Sequence, residues 1–213
     1  MTEARSAPCG SWHSPISAEF ASGSSLRLMQ PCACDGWTYW IESRPSEQGR
    51  SVLMRSKPEQ EPQALLPEPF NARSRVHEYG GGAYAVHAAR IAFVNDQDQQ
   101  IYLLADGTIQ RLTDAPGARF GDLCFDAIHD RLLCIREQHV ADESPKNSLV
   151  AVSLGDGTIT TLAQGHDFYS SPALDPAAER LAWLQWNQPQ MPWDGCELQL
   201  AELTRSEERR VGK

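Results

Sequence analysis

The chain has 213 residues, with 19 lysines and arginines against 28 aspartates and glutamates, and its formal net charge is −9. Hydrophobic residues make up 41% of the sequence, which is enough for a packed core and excludes a wholly disordered chain. The negative charge argues against a nucleic-acid or anionic-membrane partner, and no stretch approaches the roughly 18–20 apolar residues of a membrane-spanning helix. Because the N-terminus has no apolar run after a basic start, no signal peptide is predicted and a cytoplasmic location is expected.

An internal repeat of about 40–50 residues organises the sequence. The tetrapeptide DGTI occurs at 106–109 and again at 156–159. A short apolar strand pattern recurs as well, and its copies start at Trp37, Arg90, Arg131 and Arg180. The chain is therefore built from copies of one structural unit.

Each unit has the sequence pattern of β-strands. The apolar segments RIAFVN, RLLCIRE and RLAWLQW are short and rich in β-branched or aromatic residues, and each has a further strand pattern before and after it. The Asp-Gly pairs at 106–107 and 156–157 predict tight hairpins that lead into short outer strands. Four antiparallel strands at this spacing are typical of propeller blades.

The predicted fold is therefore all-β, a partial β-propeller of about four four-stranded antiparallel blades. We place the blades at about 24–68, 82–113, 119–163 and from 169 onward; the last blade is incomplete because its pattern stops after three strands. An open series of blades is favoured, and a closed four-bladed ring is the alternative. The incomplete propeller domain spans 24–203, after an N-terminal segment at 1–23. The mixed-charge residues 204–213 are expected to be a disordered or foreign tail.

The sequence contains no self-sufficient catalytic motif. It lacks the G-x-S-x-G nucleophile elbow, a phosphate-binding glycine loop and a zinc-binding H-E-x-x-H pattern. No catalytic residue, metal site or cofactor is therefore predicted. The six cysteines show no zinc-binding spacing and are expected to be reduced and mostly buried.

Two segments are candidates for ligand contact. In RVHEYGGGAY (75–84), three glycines are flanked by His77, Glu78 and Tyr79. This segment is either a bulged start of the second blade's inner strand, or a site where Glu78 pairs with a substrate ammonium group and Tyr79 donates beside it. In WNQPQMPWDG (186–195), Asp194 lies either in the turn of a packed hairpin or in a loop that reaches a partner domain or substrate channel.

The sequence resembles the N-terminal β-propeller of the prolyl oligopeptidase family of serine peptidases, on the acylaminoacyl-peptidase and dipeptidyl-aminopeptidase side. Four segments carry the resemblance: Gly10–Ile16, Arg75–Tyr84, Leu174–Trp183 and Trp186–Leu198. Cys9 and Cys196 depart from the family pattern at the edges of these segments.

The resemblance implies a two-domain enzyme in which the propeller gates an α/β-hydrolase domain that carries Ser, Asp and His. No position of this sequence matches that triad, so the chain is expected to be truncated before the hydrolase domain and not catalytic by itself. The parent would act on short peptides or N-terminal residues, with segment 1–23 packing on the missing domain, and a homo-oligomeric parent is compatible with the sequence. The two alternatives are a freestanding protein-binding propeller scaffold and a lactonase-type, metal-dependent propeller enzyme.

Overall fold

A computed structural model describes residues 6–11, 14–18, 20 and 25–203 of the chain. Residues 25–203 contain fifteen strands, a 3-10 turn at Pro45–Glu47 and no α-helix. No helix in the described ranges has the length and hydropathy needed to cross a bilayer. The predicted tail at 204–213 and parts of the segment 1–23 lie outside the described residues.

The strands form four antiparallel sheets, and each strand pairs with its neighbour in sequence. The first blade contains β1 (Arg27–Cys34), β2 (Trp37–Arg44), β3 (Arg50–Ser56) and β4 (Gln63–Ala64). The second contains β5 (Tyr84–His87), β6 (Arg90–Val94), β7 (Ile101–Ala105) and β8 (Thr108–Arg111). The third contains β9 (Ala118–Asp126), β10 (Arg131–Gln138), β11 (Lys146–Ser153) and β12 (Ile159–Gln164). The fourth contains β13 (Phe168–Leu174), β14 (Arg180–Trp186) and β15 (Glu197–Glu202).

The predicted fold class is confirmed: the protein is all-β, with four blades of which the last has three strands. The Asp-Gly hairpins differ from each other. Asp106 and Gly107 both have left-handed backbones, at φ 50° and 74°, as a type I′ turn requires. In the second copy only Gly157 is left-handed, at φ 72°, while the Asp156 carboxylate accepts the Thr158 amide. The expectation that most cysteines are buried is wrong, since of the six only Cys134 is buried.

Three apolar cores join consecutive blades, because alternate residues of a strand face opposite neighbours. Tyr39 and Ile41 of blade 1 pack against blade 2 in the first core. In blade 3, Leu132 and Cys134 face blade 2, whereas Leu133 and Ile135 face blade 4. The propeller is thus held together by stacking of sheet faces around an arc.

The arc is open between blades 4 and 1. The described residues contain no buried apolar cluster that joins these two blades. The outward face of blade 4 exposes Leu198 and Leu200, which are 72% and 58% accessible. The outward face of blade 1 carries an ion-pair network in which Arg44 contacts both Glu42 and Glu47. Leu28 pairs with Glu42 across the strands and is 65% accessible, so this face presents both ion pairs and an apolar side chain.

Side-chain hydrogen bonds connect the innermost strands across blade boundaries. The inner strands of blades 1, 3 and 4 each contain a bulge with one left-handed residue, namely Gln30 (φ 52°), Asp122 (φ 53°) and Ser171 (φ 55°). The Gln30 amide oxygen accepts the Ala83 N–H of blade 2 at 2.9 Å. Asp122 accepts the Gly82 N–H at 2.6 Å and the Ser171 N–H at 2.9 Å. One chain of polar contacts therefore runs along the inner rim from blade 1 to blade 4.

We expect the exposed leucines of blade 4 to limit the solubility of the isolated chain, because an apolar sheet face promotes association. The double substitution Leu198→Glu and Leu200→Glu should raise the fraction of soluble monomer by roughly twofold or more, measured by size-exclusion chromatography after expression. Thr108→Glu with Thr160→Glu adds the same charge at exposed polar strand positions and should leave that fraction unchanged. An equal gain in both double variants would show that charge alone, rather than this face, controls solubility.

Candidate functional site

The segment before β5 crosses from blade 2 to the interface between blades 3 and 4. Ser74 Oγ donates to the Phe120 carbonyl at 2.6 Å, and Val76 is buried in the core that joins blades 3 and 4. The close approach needs glycine at 121, because a Cβ there would lie 2.8 Å from Ser74 Oγ and 3.2 Å from Val76 Cγ2. The segment is therefore fixed on the inner rim by blade 3.

The glycines that follow are required by the same packing. A Cβ at Gly81 would lie 2.7 Å from Asp122 Oδ1, and a Cβ at Gly82 would lie 3.3 Å from Asp122 Cα. Gly80 has φ 89°, in the left-handed region, and a Cβ there would lie 2.8 Å from the Ser74 carbonyl oxygen. These contacts support the structural interpretation of the glycine run as the start of the second blade's inner strand.

The glycine run does not account for the residues that precede it. His77 and Glu78 both have left-handed backbones, at φ 56° and 66°. After this turn the Glu78 side chain is 78% accessible, and Tyr79 is 63% exposed. A carboxylate and a phenol are thus presented to solvent at the inner rim, next to the segment that blade 3 anchors.

Arg119 connects the exposed carboxylate to a buried one. Its Nη1 lies 2.5 Å from Glu78 Oε1, 3.1 Å from the Arg75 carbonyl oxygen and 3.4 Å from Glu137 Oε1. One guanidinium nitrogen with two protons therefore faces three acceptors, and the Glu137 contact is the longest of them. The hydrogen bond from Arg119 holds the pKa of Glu78 below its usual value, so Glu78 is ionised at neutral pH.

Glu137 is the centre of this network. Its side chain is only 4% accessible, and it accepts the His77 N–H at 2.8 Å and faces His139 Nε2 at 2.7 Å. A buried carboxylate with these partners is well satisfied even without Arg119. Glu137 therefore fixes the turn at His77 and Glu78 through the backbone.

His77 is a packing residue between blades 3 and 4. Its ring lies 5.2 Å from the Phe168 ring and 6.0 Å from the Trp186 ring, both in edge-to-face orientation. Burial lowers the pKa of His77, although the negative charges of Glu137 and Asp122 oppose that shift. The imidazole is therefore neutral at pH 7, and its Nδ1 lies 3.5 Å from the Tyr79 hydroxyl.

Asp194 does not join this group. It lies in the loop between β14 and β15, where its carboxylate accepts the Met191 N–H at 3.3 Å and its own N–H donates to the Met191 carbonyl. Among the described residues no hydrogen bond or ion pair links Asp194 to Glu78, Tyr79 or His77. Of the four predicted substrate-binding residues, the structure thus brings together three.

The donor set does not fit a metal ion well. Ligand atoms of Glu78, Glu137 and His139 lie within 4.8 Å of one another. However, the Arg119 guanidinium already contacts both carboxylates, and a cation between them would face that positive charge. The arrangement suits an organic cation that can replace one arginine contact better than it suits a metal.

Arg119, Glu137 and His139 were not singled out by the sequence. Only the register of the strands brings two of these residues together, since Arg119 and Glu137 are direct cross-strand partners in β9 and β10. That register cannot be read from spacing alone, because a bulge in the pairing of β9 with β10 shifts the residues opposite Leu133 and Ile135.

Solved structures of puromycin-hydrolysing enzymes match almost the whole chain. A puromycin-hydrolyzing peptidase of Mycobacterium tuberculosis is 34% identical, with 96% of this chain covered and a TM-score of 0.86. A puromycin hydrolase is 29% identical, with 98% covered and a TM-score of 0.85. A mutant puromycin hydrolase complexed with PGG is 30% identical, with 96% covered and a TM-score of 0.84. This chain spans only 34–35% of the lengths of those three proteins.

The fold and these similarities identify the chain as a β-propeller of the kind carried by peptidases of the prolyl oligopeptidase family, and the predicted resemblance is confirmed. Within that class, its similarity extends at 29–34% identity to the puromycin-hydrolysing peptidases. The acylaminoacyl peptidase of Pyrococcus horikoshii shares the fold, with 10% identity and a TM-score of 0.60. No protein-family model and no curated protein matches the chain.

Replacing the buried carboxylate should destabilise the protein more than replacing an exposed one. We expect Glu137→Gln to lower the free energy of unfolding by about 2–3 kcal/mol, because the contacts to His77, His139 and Arg119 lose their charged acceptor. The matched variant Glu143→Gln loses only an exposed ion pair with Lys146 and should lower the free energy of unfolding far less than Glu137→Gln does. Urea unfolding of both variants in the Leu198→Glu, Leu200→Glu background measures the difference, and equal losses would contradict the central role of Glu137.

Proposed function

We propose that this chain is the substrate-facing, non-catalytic propeller portion of a peptidase that acts on short peptides or N-terminal residues. The similarity to puromycin-hydrolysing peptidases supports the peptidase class. The observation that carries the binding role is the Glu78 carboxylate, exposed on an anchored turn of the inner rim. The serine, aspartate and histidine of the reaction would lie on polypeptide outside these 213 residues.

In this proposal Glu78 binds the ammonium group of the substrate. An ionised carboxylate and an ammonium form a charge-assisted hydrogen bond, which is stronger than a neutral one. The incoming ammonium would take the place of Arg119 at Glu78 Oε1. Because Glu137 Oε1 lies only 3.4 Å from the same guanidinium nitrogen, Arg119 has a second carboxylate to which it can move. The exchange therefore leaves no charge unpaired.

Tyr79 and the neighbouring loops would position the rest of the substrate. The Tyr79 phenol is exposed beside Glu78 and offers both a hydroxyl and an apolar ring. In the parent enzyme, blades that complete the ring would enclose the inner rim and admit a flexible peptide end but not a folded domain. This sieving role, a peptide partner and a cytoplasmic location form one proposal about the parent enzyme.

The proposal predicts binding without turnover. We expect the 213-residue chain to bind puromycin, whose aminoacyl group carries a free α-amino group, and to leave the compound intact over prolonged incubation. Glu78→Gln should weaken binding by about tenfold, because the ammonium group loses its charged partner. Calorimetric titration measures the affinity, and chromatography of the incubated ligand measures hydrolysis.

Glu61→Gln is the matched control, because Glu61 is exposed on blade 1 and forms no ion pair with the described residues. Equal affinity of the Glu78→Gln, Glu61→Gln and parent proteins would contradict the ammonium-binding role. Hydrolysis of puromycin by the purified chain would contradict the non-catalytic role.

A further inference from the structure

A polar cavity lies between blades 1 and 2, and Tyr79 is one of its lining residues. Its volume is about 530 Å³, and its lining includes Arg27, Arg73, Ser43, Ser51 and Tyr79. Gly80 and Gly81 also line it, so the cavity begins next to the turn that carries Glu78. Residues that line the cavity thus directly follow Glu78, the residue of the proposed ammonium site.

The charge of this cavity differs from that of the chain as a whole. No aspartate or glutamate lines it, although the chain has 28 acidic residues and a net charge of −9. Elsewhere, most arginines of the described residues are paired with carboxylates, as Arg50, Arg75 and Arg131 are. Arg27 and Arg73 are both exposed and have no ion pair with any described residue. Two unneutralised guanidinium groups therefore line one cavity.

The chemistry of the lining matches a carboxylate. Guanidinium groups bind carboxylates with charge-assisted and often bidentate hydrogen bonds. The serine and tyrosine hydroxyls in the lining are further donors. A lining with several donors, two positive charges and no acidic group favours an anion and disfavours a cation.

We propose that this cavity binds the C-terminal carboxylate of a short peptide whose N-terminal ammonium group is bound by Glu78. The ligand class rests on the proposed function, because Tyr79 directly follows Glu78 and lines the cavity, and a peptide of a few residues has one charge of each sign. The parent peptidase would then prefer short peptides with free termini at both ends over longer or C-terminally blocked ones.

Three peptides separate the two sites in one titration series. Trialanine carries both charged termini, trialanine amide lacks the carboxylate, and N-acetyl-trialanine lacks the ammonium group. With the 213-residue chain in the Leu198→Glu, Leu200→Glu background, we expect trialanine to bind about fivefold or more tightly than its amide. Arg73→Gln and Arg27→Gln should each reduce this preference at least about twofold while preserving the preference for the free amine over the acetylated peptide.

Arg180→Gln is the control, because this exposed arginine lies on blade 4 and is not part of the cavity lining. It should keep both preferences. Equal affinity of the acid and the amide for the parent chain would overturn the carboxylate site, and so would a preference that persists in both cavity variants. Equal affinity of the acetylated and free peptides would instead contradict the role of Glu78, and absence of measurable binding by all three peptides would overturn both proposals.

Discussion

The hydrogen bonds of Asp122 hold together the part of the protein on which the candidate site depends. This one carboxylate accepts the Gly82 amide of blade 2 and the Ser171 amide of blade 4, while its own backbone belongs to the bulge in blade 3. Apolar cores join the blades along their faces, but those contacts are non-directional. The polar contacts at the bulges give direction, because each requires a particular backbone atom of the next blade at hydrogen-bond distance.

The position of Asp122 explains both the glycine run and the exposed glutamate of the candidate site. The glycine run must pass within contact distance of Asp122, so side chains are excluded there. The turn before it is then fixed by the buried Glu137, and its left-handed backbone leaves Glu78 exposed. Arg119 lies between an exposed and a buried carboxylate and contacts both. A positive ligand can compete for the exposed one, because the arginine retains the other.

The architecture could be predicted from the sequence because the same pattern of apolar strands and turns recurs in each blade. The second strand of each later blade begins with an arginine followed by a run of consecutive apolar residues, and the observed β6, β10 and β14 begin at Arg90, Arg131 and Arg180. The glycine run and Glu78 were also identifiable, since three adjacent glycines indicate close backbone approach. Asp122 and Arg119 were not identifiable, because their partners Gly82 and Glu78 lie 40 and 41 residues away and a bulge shifts the register of the strand that carries them. Asp194 was predicted as a binding residue from its tryptophan- and proline-rich loop sequence, but its hydrogen bonds are made within that loop.

Amide hydrogen exchange at Gly82 and Ser171 tests the central claim most directly. These residues belong to different blades and are 89 positions apart in the sequence, yet both amides donate to the same carboxylate. In the Asp122→Ala variant both acceptor oxygens are lost, and the account predicts that both amides lose protection together while the amides of the apolar cores keep theirs. Unchanged protection at both positions, or a uniform loss throughout the protein, would contradict the claim that Asp122 links the blades at the inner rim.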